Sequence, residues 1–166
     1  MTTPAFPLEP TDEITAAAWI AGIPGFTPEM VGPVLPPEVN RKGVAAPWVR
    51  TGFVQVTAVG GSPDPLLPVR RPVIDVTCWT TVLGSNRPPW DQAYAMGSAI
   101  LKATWDRHTI NRLLTPVING VAYEPAQVQG VKMLTQFRRG YSDAADFATV
   151  SADMWMQWIA VGDVIA

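Results

Sequence analysis

The stretch AADFATVSADMWMQWIAV, residues 144–161, alternates along most of its length. Ala148, Val150, Ala152, Met154, Met156, Trp158 and Ala160 fall on one side of a period of two. Thr149, Ser151, Asp153, Trp155, Gln157 and Ile159 fall on the other. That period belongs to a β-strand, whose successive side chains point to opposite faces. Both sides carry large apolar groups, so the strand is central in its sheet or its outer face meets a partner chain. Residues 126–139 share the period, and the spacing through Gly140 to Asp143 joins the two strands as a hairpin.

Upstream, residues 50–59 (RTGFVQVTAV) and 71–83 (RPVIDVTCWTTVL) also read as strands. In the second, Ile74, Val76, Cys78 and Thr80 share one face, while Asp75, Thr77, Trp79 and Thr81 share the other. Gly60-Gly61-Ser62-Pro63-Asp64-Pro65 between them is turn chemistry, which predicts an antiparallel pair with a projecting loop. Ser85-Asn86 and Pro88-Pro89 then open the longest helix. Trp90, Ala93, Tyr94, Gly97, Ile100, Leu101, Thr104 and Trp105 form its apolar face over residues 90–107. Small Ala93 and Gly97 let that helix approach a sheet closely.

Residues 1–47 differ in character from the single domain expected over residues 48–166. Fifteen of the seventeen prolines precede residue 90, and residues 1–40 hold five acids (Glu9, Asp12, Glu13, Glu29, Glu38) and no base. Thr11 or Asp12 caps a short helix through Ala16 to Ile20, which Gly22 and Pro24 stop. From Gly25 to Pro47 the Pro and Gly density predicts an extended course. This Pro-rich arm is a strap over the protein's own core or a latch for a neighbouring subunit.

Composition narrows the function. With 166 residues, 48% hydrophobic and 16% charged, the chain is one folded domain and not a disordered one. A net charge of -2 leaves no basic footprint for duplex DNA. One Cys and one His exclude an internal disulfide and a Cys/His zinc site. The longest apolar run, Ile14 to Phe26, contains Pro24 and falls short of the roughly 20 residues of a membrane span. The acidic, Pro-rich start is unlike a signal peptide, and a lone thiol suits a reducing compartment.

No residue set predicts catalysis, and no cofactor or metal is expected. His108 follows the helix with no Gly-x-Ser-x-Gly partner, Cys78 lies on an apolar strand face, and Asp143, Asp146 and Asp153 are too scattered for a calcium loop. Gly60-Gly61 lacks the rest of a phosphate-binding loop. Asp75 is read as the partner of an Arg across the sheet or a subunit boundary. The doublets Arg70-Arg71 and Arg138-Arg139 are solvated strand ends or interface bases. Seven tryptophans, with Trp79 and Trp155 opposite the better core stripes, suit an oligomer; a ligand pocket is the alternative use for them.

The run from Arg50 through Trp105, with Arg71-Pro72-Val73-Ile74-Asp75-Val76-Thr77-Cys78-Trp79 at its centre, resembles tail terminator proteins of long-tailed bacteriophages, particularly those of actinobacteria. Arg138-Arg139-Gly140-Tyr141-Ser142-Asp143 and the last strand are similar too. The resemblance implies an α+β fold, a mostly antiparallel or mixed sheet of four or more strands with helices packed on it. It also implies a homo-oligomeric ring, usually a hexamer, in the virion at the head–tail junction, assembled in the host cytoplasm. Its partners would be the tail tube protein and the head–tail stopper or connector, with DNA passing through without specific binding. Arg70, Arg71, Asp75, Trp79, Arg138, Arg139 and Trp155 are the candidate interface residues. Another neck protein, or a small ligand-binding or enzymatic domain, is the alternative.

Overall fold

A computed structural model describes residues 8–39, 41–84, 87–140 and 146–163. The chain runs through α1 (Asp12–Ala21), β1 (Val31–Gly32), α2 (Trp48–Thr51), β2 (Phe53–Gly61), β3 (Pro72–Thr81), α3 (Trp90–Ala103) and α4 (Arg107–Ile110). It continues through β4 (Leu113–Leu114), β5 (Val117–Ile118), β6 (Val121–Ala122), β7 (Ala126–Met133), β8 (Arg138–Arg139) and β9 (Phe147–Ala160). The main sheet has the order β1-β2-β3-β9-β7-β4, with β8 also paired to β9. Among the described residues only the β1–β2 pairing of this sheet is parallel. The fold class is α+β, built on a mixed sheet.

β9 is central. One edge runs against β3 from Thr81↔Phe147 to Val73↔Trp155, and the other against β7 from Met133↔Met154 to Ala126↔Ala160. Its even-numbered side chains Val150, Met154, Met156 and Trp158 are fully buried with Ile74, Val76 and Cys78 of β3 and Val54 and Val56 of β2. Ala93, Met96 and Ile100 of α3 and Ala16, Trp19 and Ile20 of α1 close the same cluster.

The acidic N-terminal segment is part of this core. The Thr11 hydroxyl accepts the Ile14 N–H at 3.1 Å and Gly22 ends α1, as the local sequence predicts. Asp12 accepts the Trp158 indole N–H at 2.8 Å, Glu13 accepts the Ala58 N–H at 3.1 Å, and Glu9 pairs with Arg70. Trp19 donates to the Thr109 carbonyl at 3.0 Å, while the Arg112 guanidinium lies over its ring and donates to the Trp19 carbonyl. A Cβ at Gly22 would strike that guanidinium, so glycine there serves close approach. From Leu8 to Gly32 the chain is therefore a strap over its own core. Its Pro-bounded stretch also supplies β1, which adds two residues to the edge of β2.

Three features depart from the periodicity. The strand expected over residues 126–139 breaks after Met133. The Thr135 hydroxyl takes the Asp153 N–H at 2.9 Å, and Phe137 turns onto Gly97 of α3. Residues 117–122 form a separate hairpin, β5–β6, turning at Asn119 and Gly120 with positive φ of 50° and 77°. Its signal is Asn-Gly between alternating apolar residues, a pattern in VINGVA that escapes a search for long periodic runs. Finally, Trp48 opens the short α2 after Pro47. The expected turn at Tyr141 to Asp143 and the Ser85-Asn86 helix start lie outside the described residues.

Two outcomes follow. Trp19→Ala should lower unfolding stability by about 3–5 kcal/mol, the range for losing a buried Trp, and removal of residues 1–32 should leave an unfolded chain by circular dichroism. Gly97→Ala should destabilise as well, although alanine favours helix by about 1 kcal/mol. A Cβ there would stand 2.9 Å from the Phe137 ring carbon Cγ, and denaturant titration should give a net loss of roughly 1 kcal/mol or more.

Candidate interaction surface

Helices α1 and α3 bury one face of the sheet; the other is covered at one end only. There Trp48 of α2 stacks on Phe147 with ring centroids 6.3 Å apart, and Trp79 meets Phe147 edge-on at 6.0 Å. Phe53, Thr81 and Thr149 are buried beneath this aromatic corner. Beyond it the face is half-buried from Thr77 and Ser151 to Ile159.

Cross-strand register sets the order of groups on this open face. Trp79 donates its indole N–H to Gln55 at 3.1 Å. Next, Asp75 stands directly opposite Asp153, with Thr57 on its other side. Asp75 accepts the Thr77 hydroxyl at 2.7 Å, and no ion pair reaches either carboxylate among the described residues. Like charges opposed across a ladder cost a few tenths to about 1 kcal/mol. The Arg expected across the sheet from Asp75 is thus, within the chain, a second acid. Asp153 was invisible as its partner because the two lie far apart in sequence and meet only through the β3–β9 register.

Trp155 follows, opposite Val73 and Lys132, with the Lys132 ammonium 5.1 Å from its ring centre. Gly130 gives the ring room, since a Cβ there would lie 3.0 Å from it. Arg71 donates to Gln157 at 3.1 Å, and Gln157 donates to Gln129 at 2.9 Å. Exposed Arg138 lies opposite Ser151. Five sequence candidates (Arg71, Asp75, Trp79, Arg138 and Trp155) therefore share one face.

The other two turn away, because a strand sends neighbouring side chains to opposite sides. Arg70 continues the β3 ladder by exchanging backbone hydrogen bonds with Trp158 at 2.8 and 2.9 Å. Its guanidinium covers the Trp158 ring at 4.6 Å and pairs with Glu9. Arg139 lies 4.3 Å over Trp90, at the start of α3. Each basic doublet is split between two surfaces.

The loop between β2 and β3 projects with Leu66 89% exposed and Leu67 beside it. Asp64 organises it: one carboxylate oxygen accepts the Leu66 and Leu67 N–H groups, both at 2.9 Å, and the other pairs with Arg71 at 2.9 Å. Exposed Val117, Ile118 and Val121 make the β5–β6 hairpin a second apolar projection. Beside it a cleft of about 420 Å³ opens between α1 and residues 112–118, with Arg112 on its wall already bonded to Trp19 and Thr109.

Cys78 is fully buried, and desolvation pushes its thiol far above the ordinary range. His108 is exposed on α4, its backbone N–H donating to the Asp106 cap at 3.0 Å. Among the described residues no group of three or more His, Cys, Asp or Glu could hold a metal ion. No helix there is long and apolar enough to cross a membrane. Protein-family models and curated proteins gave no match to the chain.

The Leu66 and Leu67 amides, then the Arg71 guanidinium, hold the Asp64 carboxyl below its ordinary value of 3.8. A depressed value means that the loop lock is present above the ordinary value and lost as pH falls through the lower, folded one. The amide resonances of Leu66 and Leu67 should therefore titrate together with a midpoint below 3.8. A midpoint at or above it would show that Asp64 does not hold the loop.

Proposed function

We propose that this chain is a structural virion protein, the tail terminator of a long-tailed phage, acting without catalysis. Copies form a ring, in the hexameric form usual for the resembled family, that caps the tail tube, ends its polymerisation and offers a docking surface to the head-side neck proteins. The observation that carries the reading is the open sheet face, where Arg71, Asp75, Trp79, Arg138 and Trp155 stand together half-buried or exposed. A two-layer fold that leaves tryptophans and ionic groups on one uncovered face suits association, since Trp and Arg dominate interface energetics.

The resemblance of Arg50 to Trp105, and of the closing strands, to tail terminators supplies the identity of the assembly. The two apolar projections, at Leu66 and at Val117 to Val121, give such a ring separate contact points for the tube and the neck. Ring closure explains how growth stops: a heterologous contact closes by rotation, and the ring's far surface differs from the tube's.

A phage carrying a nonsense codon in this gene should make tails of uncontrolled length that fail to join filled heads, as seen by electron microscopy. Tails of normal length joined to heads would overturn the reading. A particle map placing the chain next to the portal would favour a stopper instead.

A further inference from the structure

We propose that successive copies join head to tail through opposite charge, the cationic corner after α3 of one copy seated on the Asp75–Asp153 strip of the next. This inference rests on the ring reading above, and the occupant of the open face is a second copy of this chain.

The strip holds two acids between two aromatic rings, with Arg138, opposite Ser151, and Lys132, over Trp155, at its borders. Asp75 and Asp153 face each other in register with no cation paired to either among the described residues, and half-buried Trp79 and Trp155 lie to either side along the strands. The opposed carboxylates repel in the monomer, so a cation from outside gains more here than beside a single carboxylate.

The corner has the reverse sign and matching chemistry. Trp105 is 72% exposed, with Lys102 in the last turn of α3 and Arg107 at the start of α4 both exposed around it. Neither cation has an ion pair among the described residues. The one acid between them, Asp106, is occupied in capping α4, where it accepts the Thr109 hydroxyl at 2.9 Å and the His108 N–H at 3.0 Å. Exposed Leu134, on the cleft that Trp105 shares with Phe137, widens the apolar part of the corner.

The two surfaces border one another at Lys132 and Leu134, but their paired charges lie on opposite sides of the sheet: α3 packs against the buried face, while Asp75 and Asp153 lie on the other. A contact between two different surfaces leaves each copy with one of each still free, so the contact repeats and a rotation closes it into a ring.

Sedimentation velocity of the full purified chain over a concentration series tests the contact. The parent should self-associate, and less so at high salt. Asp75→Asn with Asp153→Asn should weaken association about tenfold or more, as loss of buried charge partners does, while the monomer melts no lower than the parent. Lys102→Glu with Arg107→Glu should weaken association at least as much. Mixing that variant with Asp75→Lys, Asp153→Lys should restore association, since the two can alternate with every contact paired by opposite charge. Circular dichroism confirms that each variant is folded; if the double Lys variant is not, the Asn pair and the Glu pair decide. A parent that stays monomeric at every concentration, Asn or Glu pairs that associate like the parent, or a folded mixture that fails to recover would each overturn the contact. None of these results touches the virion reading, which stands or falls on tail length and position in the particle.

Discussion

β9 is paired along both edges, to β3 on one side and to β7 and β8 on the other, and the remaining elements take their places from that double pairing. Because the side-chain period is two, a slip of one residue would carry Val150, Met154, Met156 and Trp158 to the open face and bring Asp153 and Gln157 into the core. Each large buried side chain in this row is worth about 1.5–3 kcal/mol of transfer free energy, so the register is strongly held. The same register brings Asp75 and Asp153 together and spaces Trp79 and Trp155 along the open face.

The strap depends on this row as well. Trp158 is buried, and its indole N–H would be unsatisfied without Asp12; its outer surface is closed by Arg70, which Glu9 in turn holds. An acidic segment thus finishes the core by hydrogen bonding, not by apolar contact alone. The charge contrast between the first forty residues and the rest is used within the chain, at Glu9, Asp12 and Glu13. The face the strap does not reach stays uncovered over most of its length.

Polar groups on that face divide into two kinds. Gln55, Gln129, Gln157 and Arg71 satisfy one another or a neighbouring indole, as a solvated sheet surface does. Asp75 and Asp153 have no cation paired to them among the described residues, a local cost that the β3–β9 register imposes. The Leu66 loop, held by Asp64, and the Asn119-Gly120 hairpin add apolar projections from separate parts of the chain.

By itself the sequence determined the strands β2, β3 and β9, the faces each presents, the α1 cap at Thr11 and the start of helix α3, because those depend on local period and local hydrogen bonding. The helix expected to Arg107 ends at Ala103, with Tyr94 and Trp105 of its expected apolar face exposed. The sequence also picked out the residues of the open face one strand at a time. Only the tertiary structure decided which of them meet. Asp153 faces Asp75 through strand pairing, the basic doublets divide between two surfaces once they enter a ladder, and residues 134–137 leave the strand because Phe137 has a glycine to pack on. The strap was undecided for the same reason: whether Asp12 reaches a neighbour or its own Trp158 depends on where the chain places residue 158, which no local pattern carries.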